Sequence, residues 1–437
     1  MSQLLIPLPQ LTQADPPVAG EGSLDPLGLA QVADRLAERL LPGLRARMRR
    51  VRFLTISAIE ALAAVDLHDT IPVDGISSPS ICFEWLVLEG FARKNEKDSP
   101  LEAAGVPGSA KVRGVLAQGK RLAARNYLKS PSVFGFTGVY MPLSRHLQVL
   151  DEDRRLGCNV AQLGNAGERD CGLEGFTDAR PGTAGAALRK RIRAAILASL
   201  QGGQCVEAPS SHLWKSICDH LHPTRMGECE RTLLASWMIL DAQPVRRELA
   251  GMVGEQPQSD EFDLVRRLLA KGVSTPVKER LEAITAYEDV VHLLESAFTQ
   301  LRHVSTHLGT QPMSATKVAQ DPVIVEVSRT LPQAVARAAE QLERLDGELV
   351  QLFSDRLAKF ETRMSAPDLV ETLLAHHGAV QAGKPPQGKR PWFDRHGAGW
   401  VIRSLYRHSE AIDLSAKSFV HPYRLSSLQG FMKDLAP

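Results

Sequence analysis

The spacing of apolar residues predicts a chain built mainly from helices. Over residues 25–41 apolar side chains recur every three or four positions, and Pro42 and Gly43 end the run. The segment 78–93, SPSICFEWLVLEGFAR, places apolar residues on one helical face in the same way. We therefore expect a mainly α, multi-helical fold.

The most regular pattern is a seven-residue repeat in the second half of the chain. The first series comprises Val277, Ile284, Val291 and Phe298, with Tyr287, Leu294, Leu301 and Leu308 three residues further on, and a second comprises Val335, Ala338, Leu342, Leu345, Leu349 and Leu352. Two such helices of about 30 residues, each roughly 45 Å long, predict an antiparallel hairpin. Residues 309–330 would connect them, with VIVEV at 323–327 as a short strand or helical turn. A homodimeric coiled coil is the alternative.

Changes in composition divide the chain into five segments. A proline-rich extended arm over 1–25 is followed by a helical domain over 26–176 and a helical linker domain over 177–272. The long hairpin covers 273–365, and a basic aromatic segment covers 366–437. Within the 26–176 domain, short helices precede a turn-rich, weakly strand-like stretch. This order predicts a winged-helix or helix-turn-helix module, with an ordinary helical domain as the alternative.

Composition excludes several classes of protein. The chain has 437 residues, of which 43% are hydrophobic and 23% charged, as expected for a globular protein with a sizeable core. No stretch reaches the roughly 20 apolar residues that span a bilayer, and the N-terminus lacks the basic region of a signal peptide. The six cysteines contain no CxxC pair. We expect a cytoplasmic protein with reduced cysteines and no membrane contact.

The near-balance of 52 basic and 50 acidic residues conceals a strongly basic window. The 48 residues between Glu102 and Asp151 contain no acid. They include Lys111, Arg113, Lys120, Arg121, Arg125, Lys129 and Arg145. A helix from about Ser109 would place basic residues on one side and apolar residues on the other. The window predicts either a phosphate-binding surface or the solvated side of an ordinary helical domain.

A second basic window near the C-terminus is interleaved with aromatic residues. Over 376–407 it contains Lys384, Lys389, Arg390, Arg395, Arg403 and Arg407, together with Trp392, Phe393, Trp400 and Tyr406, against Asp394 alone. Basic side chains can bind phosphates and exposed aromatic rings can stack on bases, so this composition is typical of a nucleic-acid-binding surface. The alternative is that the rings are buried and dock this segment onto the hairpin.

No motif predicts a reaction. Cys218, His220, His222 and Cys229 can all ligate zinc, but their spacing on a helix does not make them converge, which favours histidines at a helix end in the core. GKPPQGKR at 383–390 lacks the Ser or Thr, the amide donors and the preceding strand of a phosphate loop. We predict no catalytic residue, no metal and no cofactor, so an enzyme is the less favoured class.

Four segments resemble a bacterial protein family encoded near helicases in anti-phage defence islands. They are DPLGLAQVADRLAERLLPGLRARMRRVRFLT at 25–55, GVPGSAKVRGVLAQGKRLAARNYLKSPSVFGFTGVY at 105–140, HHGAVQAGKPPQGKRPWF at 376–393 and FVHPYRLSSLQGFMKDL at 419–435. The resemblance implies a role in a multi-gene defence or DNA-processing system. It supplies no catalytic residue, and it leaves the hairpin unsupported.

These patterns together predict a non-catalytic DNA-binding accessory protein. The predicted nucleic-acid contacts are Lys111, Arg113, Lys120, Arg121, Arg125, Lys129, Lys384, Lys389, Arg390, Trp392 and Arg395. A helical adaptor that docks a helicase or nuclease partner is the alternative, and a metal-dependent enzyme built on the Cys218–Cys229 cluster is the third possibility.

Overall fold

A computed structural model describes most of the chain. It covers residues 25–93, 101, 105–161, 184–207, 211–240, 243–257, 259–385 and 387–436. The side chains at 161, 184–186, 229 and 240 are not described. The extended arm predicted over 1–25 therefore lies outside the described residues, apart from Asp25.

The described chain is mainly helical, which confirms the predicted fold class. The helices are α1 (Ala30–Leu40), α2 (Phe53–Ala64), α3 (Pro79–Ala92), α4 (Ser109–Ala117), α5 (Pro131–Phe134), α6 (Phe136–His146), α7 (Cys158–Ala161), α8 (Ala184–Gly202), α9 (His212–Leu221), α10 (Glu228–Ala235), α11 (Pro244–Gly254), α12 (Glu261–Lys271), α13 (Thr275–Leu308), α14 (Ala315–Val318), α15 (Pro322–Leu345), α16 (Gly347–Leu357), α17 (Ala366–Ala382) and α18 (Leu425–Leu435). A π-helical turn at Ser236–Leu240 and 3-10 turns at Ala358–Phe360 and Ser404–Tyr406 complete the helical structure. Strands β1 (Phe393–His396) and β2 (Gly399–Ile402) pair antiparallel, with Phe393 opposite Ile402. No described helix combines the length and apolar character needed to cross a bilayer.

The chain divides into two compact units, each built from two stretches of sequence. Unit 1 contains the residues up to Leu36 and Ser274–Pro422. Unit 2 contains Ala37–Val273 and Tyr423–Pro437. The hairpin and the aromatic segment 376–407 thus share unit 1, and the basic window 103–150 lies in unit 2.

Unit 2 is organised around two central helices, α2 and α3. Both are buried on almost every side, as their continuous apolar sequences require. Helix α2 packs on α6 and α8, whereas α3 packs on α8 and α9. The Ser78 hydroxyl caps α3 by accepting from the Ile81 amide at 3.3 Å, and Pro79 at the first helical position suits the fixed φ of proline.

The central helices of unit 2 also carry buried acids. Glu84 accepts hydrogen bonds from the Tyr127 hydroxyl and from the Thr137 amide (2.9 Å) and hydroxyl (2.8 Å). Burial raises the pKa of Glu84 to about 7. Elsewhere in the unit the buried guanidinium of Arg52 binds both carboxylate oxygens of Glu230, at 2.9 and 3.1 Å. Arg52 is the last of several arginines that directly precede α2. Its guanidinium therefore forms an ion pair in the core and does not face solvent.

Unit 1 is built on the predicted hairpin, formed by α13 of 34 residues and α15 of 24 residues. The seam residues from Val277 to Leu301 are buried. Gln300 bonds to Asp321 at 2.7 Å and Arg337 pairs with Asp289, so the two helices run antiparallel. Both seams meet within one chain, as the intramolecular interpretation predicted.

Local expectations had different outcomes. The VIVEV segment forms the first turns of α15, in agreement with the helical turn and not with the strand, and Asp321 caps this helix by accepting from the Val323 amide at 2.9 Å. The second arm is not continuous, since Asp346 leaves helical geometry (φ −168°) and starts α16. In the described part of unit 2, strand pairing is limited to one bridge between Leu150 and Leu156, so the β-wing of a winged helix does not form there.

Candidate nucleic-acid interface

The acid-free window of unit 2 separates its apolar and basic side chains as predicted for an amphipathic surface. Val112 and Val115 of α4, and Leu122 beyond it, are buried. The exposed cations of the window are Lys111, Arg113, Lys120, Arg125 and Lys129. Gly119, with φ +69°, supplies the left-handed turn that ends α4 and leads into the Lys120–Lys129 stretch.

Most of these cations face solvent without a carboxylate partner. Within the part of the chain that the structure describes, Lys111, Arg125 and Lys129 take part in no ion pair, and the Lys120 ammonium bonds only to the Gln118 amide oxygen, at 2.9 Å. Cations left uncompensated at a surface attract polyanions, because binding releases the counterions condensed on a phosphate backbone.

Arg121 behaves differently from its neighbours. Its Nε lies 2.8 Å from the Glu89 carboxylate, which is fully buried, and its guanidinium also donates to the Glu207 carbonyl. Glu89 further accepts from the Leu122 amide at 2.8 Å. Arg121 therefore fastens the basic segment to helix α3 and is engaged inside the protein, although the sequence grouped it with the phosphate contacts.

The predicted contacts of the C-terminal window are partly engaged within unit 1. The half-buried Lys384 donates to the Asp25 carbonyl, and the Lys389 amide donates to the Gln381 carbonyl at 2.8 Å. Exposed Arg390 pairs with Asp394 at 2.8 Å. Exposed Arg395 lies 4.8 Å above the Trp400 ring. The side chains of Arg390 and Arg395 are exposed, whereas Lys384 and Lys389 are half-buried.

Trp392 does not form a base-stacking platform, contrary to its predicted role. Its ring is 8% exposed and stacks on Tyr406 at 4.4 Å with an interplanar angle of 2°. The guanidinium of Arg302 covers it at 5.2 Å. Phe393 and Trp400 are buried as well. The aromatic residues therefore dock this segment onto the hairpin, which was the alternative interpretation of the sequence.

Unit 2 also contains a cleft of about 1150 Å³ that the sequence did not predict. Its walls are the end of α2 with the following loop, the turn at 154–156, and the N-terminal half of α8. The charged lining residues are Asp66, Asp69, Arg154, Arg155, Arg189, Lys190 and Arg193, with His68 beside them. Among the described lining residues there are five cations and two carboxylates, so this described part of the lining is basic.

One cation of the cleft is held by a buried relay. The Arg154 Nη1 donates to the Ser80 hydroxyl oxygen at 2.7 Å, and that hydroxyl donates to Glu60 Oε1 at 2.5 Å. Glu60 is 1% exposed, and burial raises its pKa. Its other oxygen, Oε2, has no hydrogen-bond partner among the described residues. Arg154 itself has φ +65°, a conformation that costs a non-glycine residue about 1–2 kcal/mol.

The charges of the cleft are unevenly placed. Arg193 donates to the Val65 carbonyl and lies 3.9 Å from Asp66, so this cation is engaged where the acidic loop meets α8. Arg189 and Lys190 lie about one helical turn nearer the start of α8. Arg155 is paired as well, since its Nη1 lies 3.7 Å from Asp153 Oδ2.

Part of this cleft is visible in the sequence. The helix LRKRIR at 188–193 is visibly basic, and Arg189 and Arg193 are spaced to share a face. Arg154 and Arg155, however, belong to DEDRR, where three acids cancel their charge. In the fold Arg154 reaches the Ser80 hydroxyl, whereas Arg155 stays beside Asp153.

The described cysteine and histidine side chains at 212–222 do not group as metal ligands, and the side chain of Cys229 lies outside the described residues. Cys218 points its Sγ at the Gly90 carbonyl, 3.1 Å away, and the His222 ring contacts the Thr224 hydroxyl at 3.0 Å. The carbonyls of His220 and His222 accept from Arg52 at 2.9 and 2.5 Å. In the described ranges no three His, Cys, Asp or Glu side chains group as metal ligands.

Comparison with known proteins supplies no relative: no protein-family profile, no curated protein and no solved structure matches the chain.

Proposed function

We propose that the protein binds DNA without acting on it, through the basic surface of unit 2 defined by Lys111, Arg113, Lys120, Arg125 and Lys129. The observation that carries this proposal is the exposure of these five cations on a segment that contains no acid. A phosphate backbone is the ligand that such an array attracts, and phosphate contacts dominate DNA affinity.

The separation of apolar and basic positions supports the proposal. Val112, Val115 and Leu122 anchor the segment in the core, and Arg121 is tied to Glu89 beneath it. The remaining cations are thus presented from a fixed backbone. A binding surface held in this way loses less conformational entropy when it meets its ligand than a mobile basic tail does.

Two residues that the sequence predicted as nucleic-acid contacts are left out of the proposal. Trp392 is buried, and Lys384 is engaged with Asp25. The function therefore rests on unit 2, and the aromatic segment of unit 1 is assigned a packing role.

The test is a fluorescence-anisotropy titration of single- and double-stranded DNA with the purified protein. The variant carries Lys111→Gln, Arg125→Gln and Lys129→Gln. A matched control carries Arg225→Gln, Arg266→Gln and Lys271→Gln, three exposed cations of the same unit outside the basic window. We expect the first variant to weaken binding at least tenfold and the control to bind within twofold of the unmodified protein. An equal loss of DNA affinity in both variants would show that net charge, and not this surface, determines binding.

A second candidate function, an adaptor for a helicase or nuclease partner, is favoured by one observation. The loop after α2 exposes three branched apolar side chains, Ile71 (89%), Val73 (69%) and Ile76 (70%). Clustered apolar exposure of this kind marks protein-interaction surfaces. Co-elution of the protein with a purified candidate partner, abolished by Ile71→Asp with Ile76→Asp, is the result that supports this function, and co-elution unchanged by both substitutions excludes the loop.

A further inference from the structure

The basic cleft of unit 2 differs from the exposed surface in that it is concave and has a built second layer. Arg154 is fixed from below by Ser80, and Ser80 by the buried Glu60. The Glu60 carboxyl group is 1% exposed, and its second oxygen has no hydrogen-bond partner among the described residues, which is unfavourable for folding. Together with the left-handed backbone of Arg154, it indicates a position that is maintained for a purpose other than stability.

The cations identify the ligand as an anion. Arg154, Arg155 and Lys190 line the cleft. Arg155 also lies 3.7 Å from the exposed Asp153, a weak surface pair that a bound anion can replace. Arginine presents a planar fork of donors that matches two oxygens of one phosphate, and lysine adds a point charge. Several such donors around one cavity suit a terminal phosphate, which carries nearly two negative charges and three acceptor oxygens.

The size and the apolar lining of the cleft favour a phosphate that is attached to a larger body. Its volume of about 1150 Å³ slightly exceeds the usual range of small-molecule pockets and is far larger than a lone anion needs. Ala61, Leu62, Leu156 and Ala187 contribute apolar surface to the lining. A flat, weakly polar group such as a nucleobase can pack on such a surface.

The two carboxylates restrict the ligand further. Asp66 and Asp69 line the same cleft and repel a second phosphate, but they accept hydrogen bonds from hydroxyl or amino groups. The interior of a nucleic-acid strand carries phosphates on both sides of every nucleoside, so it would bring negative charge against these carboxylates. A ligand with its charge at one end avoids the repulsion.

We propose that this cleft is a binding site for a nucleotide with a terminal phosphate, with Arg154, Arg155 and Lys190 on the phosphate and Asp66 and Asp69 on the sugar or base. Ser80 and Glu60 are positioning residues for Arg154. The site is separate from the Lys111–Lys129 surface and does not depend on the function proposed for it. The ligand is either a free nucleotide or the phosphorylated 5′ end of a strand.

Calorimetric titration with adenosine 5′-monophosphate, adenosine and inorganic phosphate tests the site. We expect the monophosphate to bind at least tenfold more tightly than either fragment. Arg154→Gln and, separately, the exposed Lys190→Gln should each weaken its binding at least fivefold, whereas Lys120→Gln on the other surface should leave it unchanged. Because Lys190 is on the surface, its variant tests the site even if loss of Arg154 disturbs folding.

Oligonucleotides with a 5′-phosphate or a 5′-hydroxyl distinguish the two sources. If the strand end is the ligand, the phosphate increases affinity and Lys190→Gln removes the increase. If the free nucleotide is the ligand, the monophosphate binds and the two oligonucleotides bind alike. The proposal is overturned if the monophosphate does not bind at millimolar concentration, binds no better than inorganic phosphate, or binds equally well to both cleft variants. Substitution of Lys111, Arg125 and Lys129 tests a different proposal, DNA binding by the basic surface of unit 2. Loss of DNA binding in that variant alone says nothing about the cleft.

Discussion

Arg121 and Glu89 form an ion pair of 2.8 Å in which the carboxylate is completely shielded from solvent. This pair shows that neighbouring cations in the sequence have different roles. Arg121 is part of the framework of unit 2, whereas Lys120 and Arg125 on either side are exposed. A basic run in a sequence therefore combines structural and surface charges, and only the fold tells them apart.

Loss of Arg121 should destabilise the protein rather than change its ligand contacts. Arg121→Ala leaves Glu89 buried with Arg93, 2.9 Å away, as its remaining cation. Removing one partner of a buried pair costs about 3–5 kcal/mol of stability. Because Arg93 still compensates the Glu89 charge, we expect a loss of about 3 kcal/mol. Urea denaturation measures the change. Arg125→Ala, at an exposed site, serves as the control and should change the free energy of unfolding by less than about 0.5 kcal/mol. Equal effects of the two substitutions would contradict the assignment.

Trp392 should matter for the stability of unit 1 and not for DNA affinity. Trp392→Ala removes a buried ring that stacks on Tyr406, and deletion of a large buried aromatic costs about 3–5 kcal/mol. Denaturation monitors the loss, and anisotropy with DNA is measured on the same folded variant below its unfolding transition. DNA affinity that falls tenfold while the fold is retained would restore the base-stacking role.

Acid should loosen the contact between α17 and the chain segment before α1. His377 Nδ1 lies 2.9 Å from the Pro26 carbonyl, and its Nε2 accepts from the Trp392 amide at 2.9 Å, which requires a neutral ring. Burial lowers the pKa of His376 and of His377 to about 4, below the value near 6.5 of an unfolded chain.

The sign of the pH dependence follows from these values. Between pH 6.5 and 4 the unfolded state binds more protons than the folded state, so stability is lost as the pH falls, by up to roughly 3 kcal/mol for each ring. Hydrogen exchange of peptides around Pro26 and Trp392, corrected for intrinsic rates, should show protection falling across this window. The exposed His396→Gln should leave the profile unchanged, and protection independent of pH from 7 to 4 would rule out the neutral-ring contacts.

The hairpin seam should be sensitive to truncation in proportion to burial. Leu294 is completely buried, so Leu294→Ala should cost about 2–5 kcal/mol. Leu308 continues the same repeat but is only half-buried at the end of α13, so Leu308→Ala should cost less than half as much. Chemical denaturation compares the two, and equal losses would show that burial in the seam is not what sets the cost.

The sequence predicted the fold where one periodic signal dominated. Val277 to Leu301 repeat every seven residues, and packing enforces that spacing. The break at Asp346 was missed because apolar residues continue on both sides, at Leu345 and Leu349, although Asp346 followed by Glu348 is an acceptable helix start.

The candidate site was less predictable for a physical reason. Exposure of a ring or of a cation depends on contacts between distant segments, such as Trp392 with Tyr406 or Arg121 with Glu89. Local composition does not encode these contacts. The cleft was missed for the same reason, since Arg154 and Lys190 are 36 residues apart in the sequence and meet only in the folded unit.

The most direct test of the account is the salt dependence of DNA affinity. The logarithm of the association constant should fall linearly with the logarithm of the salt concentration, by about 0.9 per phosphate contact on duplex DNA and about 0.7 on a single strand. Substituting Lys111, Arg125 and Lys129 by Gln should reduce the slope by about 2–3, and the control at Arg225, Arg266 and Lys271 should not change it. Absent or salt-independent binding, or an equal slope in both variants, would contradict the assignment of DNA binding to the basic surface of unit 2.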